Sequence, residues 1–190
     1  LATSDLTNVS AFEKIIIGSD AGAAAVTLVN GNVAAGKALT VDATALVSGA
    51  IALTFLGAAE TNGGVTVLGG AGNDLITATA SSIGDTLKGG AGNDTFTFAS
   101  TTLSSVDTVQ GDSGTDILTF SDNGTISDAD FTNITSVETV TARANTGTTT
   151  ISLGAAAAAA GVVTLNAADN LNAFTLGSGF TNAVTVALTN

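Results

Sequence analysis

The sequence predicts an all-β fold, a solenoid of stacked parallel strands, on three observations. The stretch GGAGNDLIT at 69–77 returns as GGAGNDTFT at 89–97. A longer segment, 5–28, aligns without gaps to 130–153. Elsewhere short runs rich in Val, Thr and Ile alternate with Asn-Gly pairs, the punctuation of strands and turns.

The glycine-rich stretch is a nonapeptide with Gly at positions 1, 2 and 4, Asp at 6 and an apolar residue at 8. Gly69, Gly70, Gly72 and Asp74 fill the first copy, and Gly89, Gly90, Gly92 and Asp94 the second. A third, GDSGTDILT at 111–119, supplies Gly111, Gly114 and Asp116, with Asp112 in place of the second glycine. Between them lie ASSIGDTLK (80–88) and TLSSVDTVQ (102–110), which lack the glycines but keep Asp85 and Asp107 at position 6. Six residues turn the chain, with glycine where φ is positive or a Cβ would clash. The next three form a short strand with one side chain directed into the core. Two such units complete one coil, so alternate units share an edge. Asp74, Asp94 and Asp116 are expected on one edge, Asp85 and Asp107 on the other.

Adjacent coils stand about 4.8 Å apart. Two carboxylates at that spacing repel by roughly 1 kcal/mol in water and several-fold more at reduced dielectric. A hard divalent cation between turns converts the repulsion into binding. Calcium takes six to eight oxygens in a flexible cage, which carboxylates and inward carbonyls provide, whereas magnesium demands a tighter octahedron. An aspartate in a turn can also simply cap its own backbone, but three Gly/Asp turns recurring in phase favour the ion. The candidate metal residues are therefore Gly69, Gly70, Gly72, Asp74, Gly89, Gly90, Gly92, Asp94, Gly111, Asp112, Gly114 and Asp116.

Residues 69–119 resemble the RTX (haemolysin-type) calcium-binding nonapeptide-repeat family, whose consensus is GGxGxDxUx. The resemblance implies a right-handed parallel β-roll or β-helix with calcium between stacked turns. It also implies export, commonly by bacterial type I secretion, and folding on contact with extracellular calcium. The turns at 80–85 and 102–107 depart from the pattern, so the calcium ladder is expected on the glycine edge alone.

Charge and composition agree with a cation as partner. Sixteen acidic residues face four basic ones (Lys14, Lys37, Lys88 and Arg143), a net charge of −12 that argues against nucleic acid and anionic membranes. With 45% apolar and 11% charged residues the chain can bury a core. His, Cys, Tyr and Trp are absent, so a serine would find no imidazole to activate it and thiolate metal sites are excluded. The expectation is that the protein is not an enzyme. No apolar run reaches the roughly 20 residues of a membrane span. The chain opens on Leu, contains no Met and shows no signal peptide, which reads as a processed product or a piece of a longer chain.

The rest of the chain reads as further coils without calcium. Strands are expected at 13–17, 25–29, 38–42, 51–56, 64–68, 136–142, 148–153, 162–166 and 183–188. LTVDA (39–43) echoes VTLNA (163–167), and GVTV (64–67) echoes AVTV (183–186), so the chain holds about one and a half copies of a super-repeat. This divides it into 1–66, solenoid coils of the first copy; 67–120, the calcium-binding roll; and 121–190, a partial second copy. Asn8 and Asn133 are expected in turns. Asp122, Asp128 and Asp130 read as solvated charge. The run Ala155–Ala160 is one helical turn or a tightly packed coil.

Functionally, the composition resembles bacterial S-layer proteins that carry RTX-like segments. The expectation is an extracellular, calcium-dependent structural protein, a building block of a bacterial surface layer, matrix or filament. The alternative is the repeat module of a giant secreted RTX adhesin, or the secretion tail of a larger exoprotein. Expected partners are copies of itself, in a lattice or filament through end and edge contacts, with a cell-surface polysaccharide as a further candidate. Ice binding would want threonine at one turn position, and position 3 of the glycine turns reads Ala71, Ala91 and Ser113.

Overall fold

Short, β-branched strands that cannot bury two faces alone stack here into a parallel solenoid of about 8 turns with almost no helix. The computed structural model describes residues 6–19, 22–142, 147–167 and 172–188. Every strand pairing in it is parallel.

The first ten strands alternate between two sheets. Sheet A takes β1 (Lys14–Ile16), β3 (Ala38–Asp42), β5 (Gly64–Leu68), β7 (Thr86–Ala91) and β9 (Thr108–Ser113). Sheet B takes β2 (Ala24–Thr27), β4 (Leu53–Leu56), β6 (Leu75–Thr77), β8 (Thr95–Phe98) and β10 (Ile117–Phe120). This two-sheet section is consistent with a β-roll. Period-two alternation sends one ladder of each sheet inward. Val41, Val67, Leu87, Val109 and Ile134 run down sheet A, and Phe55, Ile76, Phe96, Leu118, Val140 and Leu165 run down sheet B, all buried.

After β10 a third face opens. Sheet C is built from β11 (Thr125–Ile126), β14 (Thr150–Leu153) and β16 (Ala173–Leu176). Sheet A receives its last strand, β12 (Ile134–Thr135), after a 3-10 helix at Asp128–Phe131. Sheet B continues through β13 (Thr139–Ala142), β15 (Thr164–Ala167) and β17 (Thr185–Leu188). Helix α1 (Ala155–Ala160) packs on the 3-10 helix and β12, and the Val137 N–H donates to the Ala160 carbonyl at 3.0 Å. Alanine has the highest helix propensity, and Gly161 closes the helix in the left-handed conformation at φ 104°. Its start is held from a distance, because the Asp128 carboxylate accepts the N–H groups of Gly154 (2.7 Å), Ala156 (3.2 Å) and Ala157 (2.9 Å). Asp128 therefore caps a helix and does not act as free surface charge.

The super-repeat has an outcome that the sequence does not display. Residues 14–16 align with 139–141, and 24–27 with 149–152. The first pair places β1 of sheet A against β13 of sheet B, and the second places β2 of sheet B against β14 of sheet C. The echoes LTVDA/VTLNA and GVTV/AVTV likewise match β3 and β5 of sheet A with β15 and β17 of sheet B. The second copy thus repeats the first while advanced by one face around the stack.

The nine expected strands all form, with ends trimmed by one to three residues in most cases. β11, β12 and β16 are additional. Asn8 and Asn133 both lie in turns.

Candidate metal centre

The turns from sheet A to sheet B form one edge of the stack, and there the position-6 aspartates build a ladder. Oδ1 of Asp74 accepts the Leu53 N–H (2.7 Å), Oδ1 of Asp94 accepts the Asp74 N–H (2.8 Å), and Oδ1 of Asp116 accepts the Asp94 N–H (2.8 Å). Each carboxylate thus braces the turn one coil before it. The ladder runs one rung further, because Glu138 Oε2 accepts the Asp116 N–H at 2.8 Å. Sequence reasoning missed Glu138. Its signal was a spacing of 22 residues from Asp116, the same as from Asp94 to Asp116, with a Thr-Val-Thr strand following.

The second oxygens matter most. Asp74 Oδ2 accepts the Gly70 N–H of its own turn at 2.8 Å. Asp94 Oδ2 and Asp116 Oδ2 are buried and meet no donor. Leaving a buried carboxylate oxygen unpaired costs free energy on the order of 1–3 kcal/mol or more, so these two atoms mark a place built for something else. Their seats are shaped by glycine: a Cβ on Gly89 would collide with Asp94 Oδ2, and one on Gly111 with Asp116 Oδ2 and the Ser136 carbonyl. Burial pushes the Asp94 carboxyl up to about 7, with Asp74, Asp116 and Asp112 adding repulsion against the backbone donor that lowers it. Asp116 and Asp74 are also raised, chiefly by burial.

The candidate glycines sit where this edge needs them. Gly69, Gly70 and Gly72 lie in the loop from β5 to β6, whereas Gly89 and Gly90 fall inside β7, and Gly111 and Asp112 inside β9. Gly92 and Gly114 follow those strands with φ of 118° and 145°. Asp112 pairs in register with Gly90 and takes φ of 66°, a left-handed conformation that aspartate tolerates better than most residues. Position 5 contributes a second, exposed ladder: Asn73 Oδ1 accepts the Asn93 N–H (2.8 Å) and Asn93 Oδ1 the Thr115 N–H (2.9 Å).

The opposite edge solves the same problem internally. Oδ1 of Asp85 accepts the Val65 N–H (2.9 Å), and Oδ2 accepts the Thr79 N–H (2.8 Å) and faces the Thr79 hydroxyl (3.1 Å). Oδ1 of Asp107 accepts the Asp85 N–H (2.8 Å), and Oδ2 accepts from the Ser104 N–H (2.9 Å) and hydroxyl (3.2 Å). One coil earlier the fully buried Glu60 takes the Gly31 and Val33 N–H groups on Oε2 and the Asn62 N–H on Oε1. On this edge Thr and Ser hydroxyls satisfy the carboxylates. On the glycine edge nothing does.

Residues 61–82 and 79–97 match the family model of the RTX calcium-binding nonapeptide repeat. The stretch 61–97 is an RTX calcium-binding segment. The match covers the first two glycine turns, a minority of the chain; no curated protein and no solved structure matches. RTX repeats bind calcium ions, and the glycine edge fits one: its donors are all oxygen, two of them buried and unpartnered. Among the described residues no three acidic, His or Cys side chains converge on one point, so backbone carbonyls must complete any coordination shell with the carboxylates. RTX repeats imply a secreted calcium-binding repeat protein, and an RTX solenoid is a structural domain, not typically a catalytic one. Among the described residues no helix is long and apolar enough to cross a membrane.

Proposed function

We propose that this protein is an extracellular, calcium-stiffened structural element, a building block of a bacterial surface layer, matrix or filament. The carrying observation is the asymmetry between edges: Asp94 Oδ2 and Asp116 Oδ2 lack donors, while both oxygens of Asp85 and Asp107 are satisfied. Calcium is held along the glycine edge by Asp74, Asp94 and Asp116 with carbonyls of the turns at 69–72, 89–92 and 111–114. Asp112 adds negative charge at the last of these turns. Bound calcium supplies the positive charge that the stacked carboxylates lack. The Asp85 and Asp107 edge holds its coils together without an ion.

A solenoid of this kind is rigid along its axis and carries no acid–base machinery beyond carboxylates, which suits scaffolding. Its composition and its long super-repeat favour a lattice or matrix over the tail of a hydrolase. Sheet B also presents Val186 and Leu188 exposed on β17, an edge on which a further parallel strand can stack. Electron microscopy of the purified parent protein with and without calcium tests the reading. Ordered sheets or filaments that dissolve in chelator support it. Isolated calcium-dependent rods would shift the assignment to an adhesin's repeat module.

A further inference from the structure

The charges of this chain are distributed unevenly over its faces. On sheet A the outward ladders carry Lys14, Asp42 and Lys88, and Lys14 pairs with Asp42 at 3.1 Å. On sheet B, eight strands present two outward positions each, and every one is Thr, Ala, Leu, Ile or Asn. In a protein of net charge −12, sheet B is a wide face on which two copies can approach without setting carboxylate against carboxylate. The register keeps this face regular: Thr95 and Thr97 of β8 stand beside Ile117 and Thr119 of β10, which stand beside Thr139 and Thr141 of β13.

We propose that the outer face of sheet B is a self-association surface, on which a second copy of this chain lays its own sheet B. The proposal rests on the lattice reading above and names the contact that would build it. Branched apolar side chains, Leu56 and Leu75 (38% and 40% exposed), break the threonine columns. That makes the face suited to interdigitation with a like surface, not an unbroken array of hydroxyls. Sheets packing face to face stand about 10 Å apart, and a twofold pairing sets each ladder against its own equivalent. Eight strands at about 4.8 Å give a strip roughly 34 Å long. Two side-chain columns wide, it covers on the order of 400 Å² per copy, below the ~800 Å² per partner of a standard interface. A single pair is therefore weak, and the contact becomes stable when repeated through an array.

The test uses the full chain with calcium, measured by sedimentation velocity across a concentration series. The double variant Thr97→Glu/Thr119→Glu sets four carboxylates across the proposed contact, and Thr66→Glu/Thr86→Glu places the same charge on sheet A. Calcium-dependent melting of both variants checks that they fold. The sheet B pair should weaken association at least about tenfold, and the sheet A pair should leave it near the parent value. Equal weakening by both pairs, or a parent that stays monomeric into the high micromolar range, overturns the proposal. Electron microscopy separates the two readings. Ordered arrays formed equally by parent and sheet B variant would keep the lattice and discard the face. Association in solution lost in that variant, without ordered arrays from the parent, would keep the face and discard the lattice.

Discussion

The Asp94 N–H donates to Oδ1 of Asp116, 2.8 Å away and 22 residues further along the chain, while Oδ2 of the same Asp116 meets no donor. One oxygen holds the fold and the other is left for a ligand. This division of labour within a single carboxylate links stability to calcium, and it leads to the predictions below.

Calcium should raise the stability of the chain by about 2.7 kcal/mol per site at a hundredfold excess over its dissociation constant. Thermal melts followed by far-UV circular dichroism, with calcium and with chelator, read this directly. An unchanged midpoint would remove the calcium assignment.

The aspartates of the two edges should separate cleanly. Asp94 belongs to the middle glycine turn, so Asp94→Ala is expected to lower calcium affinity tenfold or more, a loss of about 1.4 kcal/mol. Asp85→Ala should leave calcium affinity near the parent value and instead destabilise the fold, because it strips the acceptors of the Val65 and Thr79 N–H groups. Isothermal titration of both variants distinguishes the edges. Equal losses would mean that both bind ions.

Stability without calcium should depend on pH in the sense opposite to ordinary carboxylates. Burial raises the Asp85 carboxyl from 3.8 to about 6, and Asp94 is raised in the same direction. A raised carboxyl contributes stability that is fully present below the unfolded value and is lost as pH rises through the folded one. The calcium-free protein should therefore melt higher at pH 4.5 than at pH 8. With saturating calcium, which requires ionised ligands, the order should reverse. Melting midpoints at both pH values, each with and without calcium, check the crossover.

Asp128→Ala should cost about 1–2 kcal/mol, the usual loss for a helix N-cap, since the start of α1 loses an acceptor for three N–H groups. A midpoint lower by a few degrees with unaltered calcium affinity is the expected result. Denaturant unfolding together with calcium titration measures both.

What the sequence made legible follows from how local each signal was. The glycine turns were readable because position-6 aspartate, glycine and apolar residue recur within nine residues, and the ladder of Asp74, Asp94 and Asp116 stacks as that phase requires. Glu138 escaped because no glycine block precedes it and its longer side chain replaces aspartate, although it accepts the same kind of N–H. The cap on α1 escaped because Asp128 lies 26 residues before Gly154, and no periodicity connects them. Sheet C escaped for a third reason. Strand signals identify strands, but the face that each one joins depends on the length of chain spent since the previous coil, and the insertion of β11, the 3-10 helix and β12 changes that count.

That change of face has a mechanical consequence. Along the first copy of the super-repeat the calcium-ready corner is the one from sheet A to sheet B, and the second copy uses sheets B and C for the same pattern. In an array of such units each successive corner would stand at a new azimuth, like treads around a spiral stair. A rod reinforced along one side bends easily toward the other. A rod whose reinforcement winds around its axis resists bending in every direction and, under tension, couples stretch to twist.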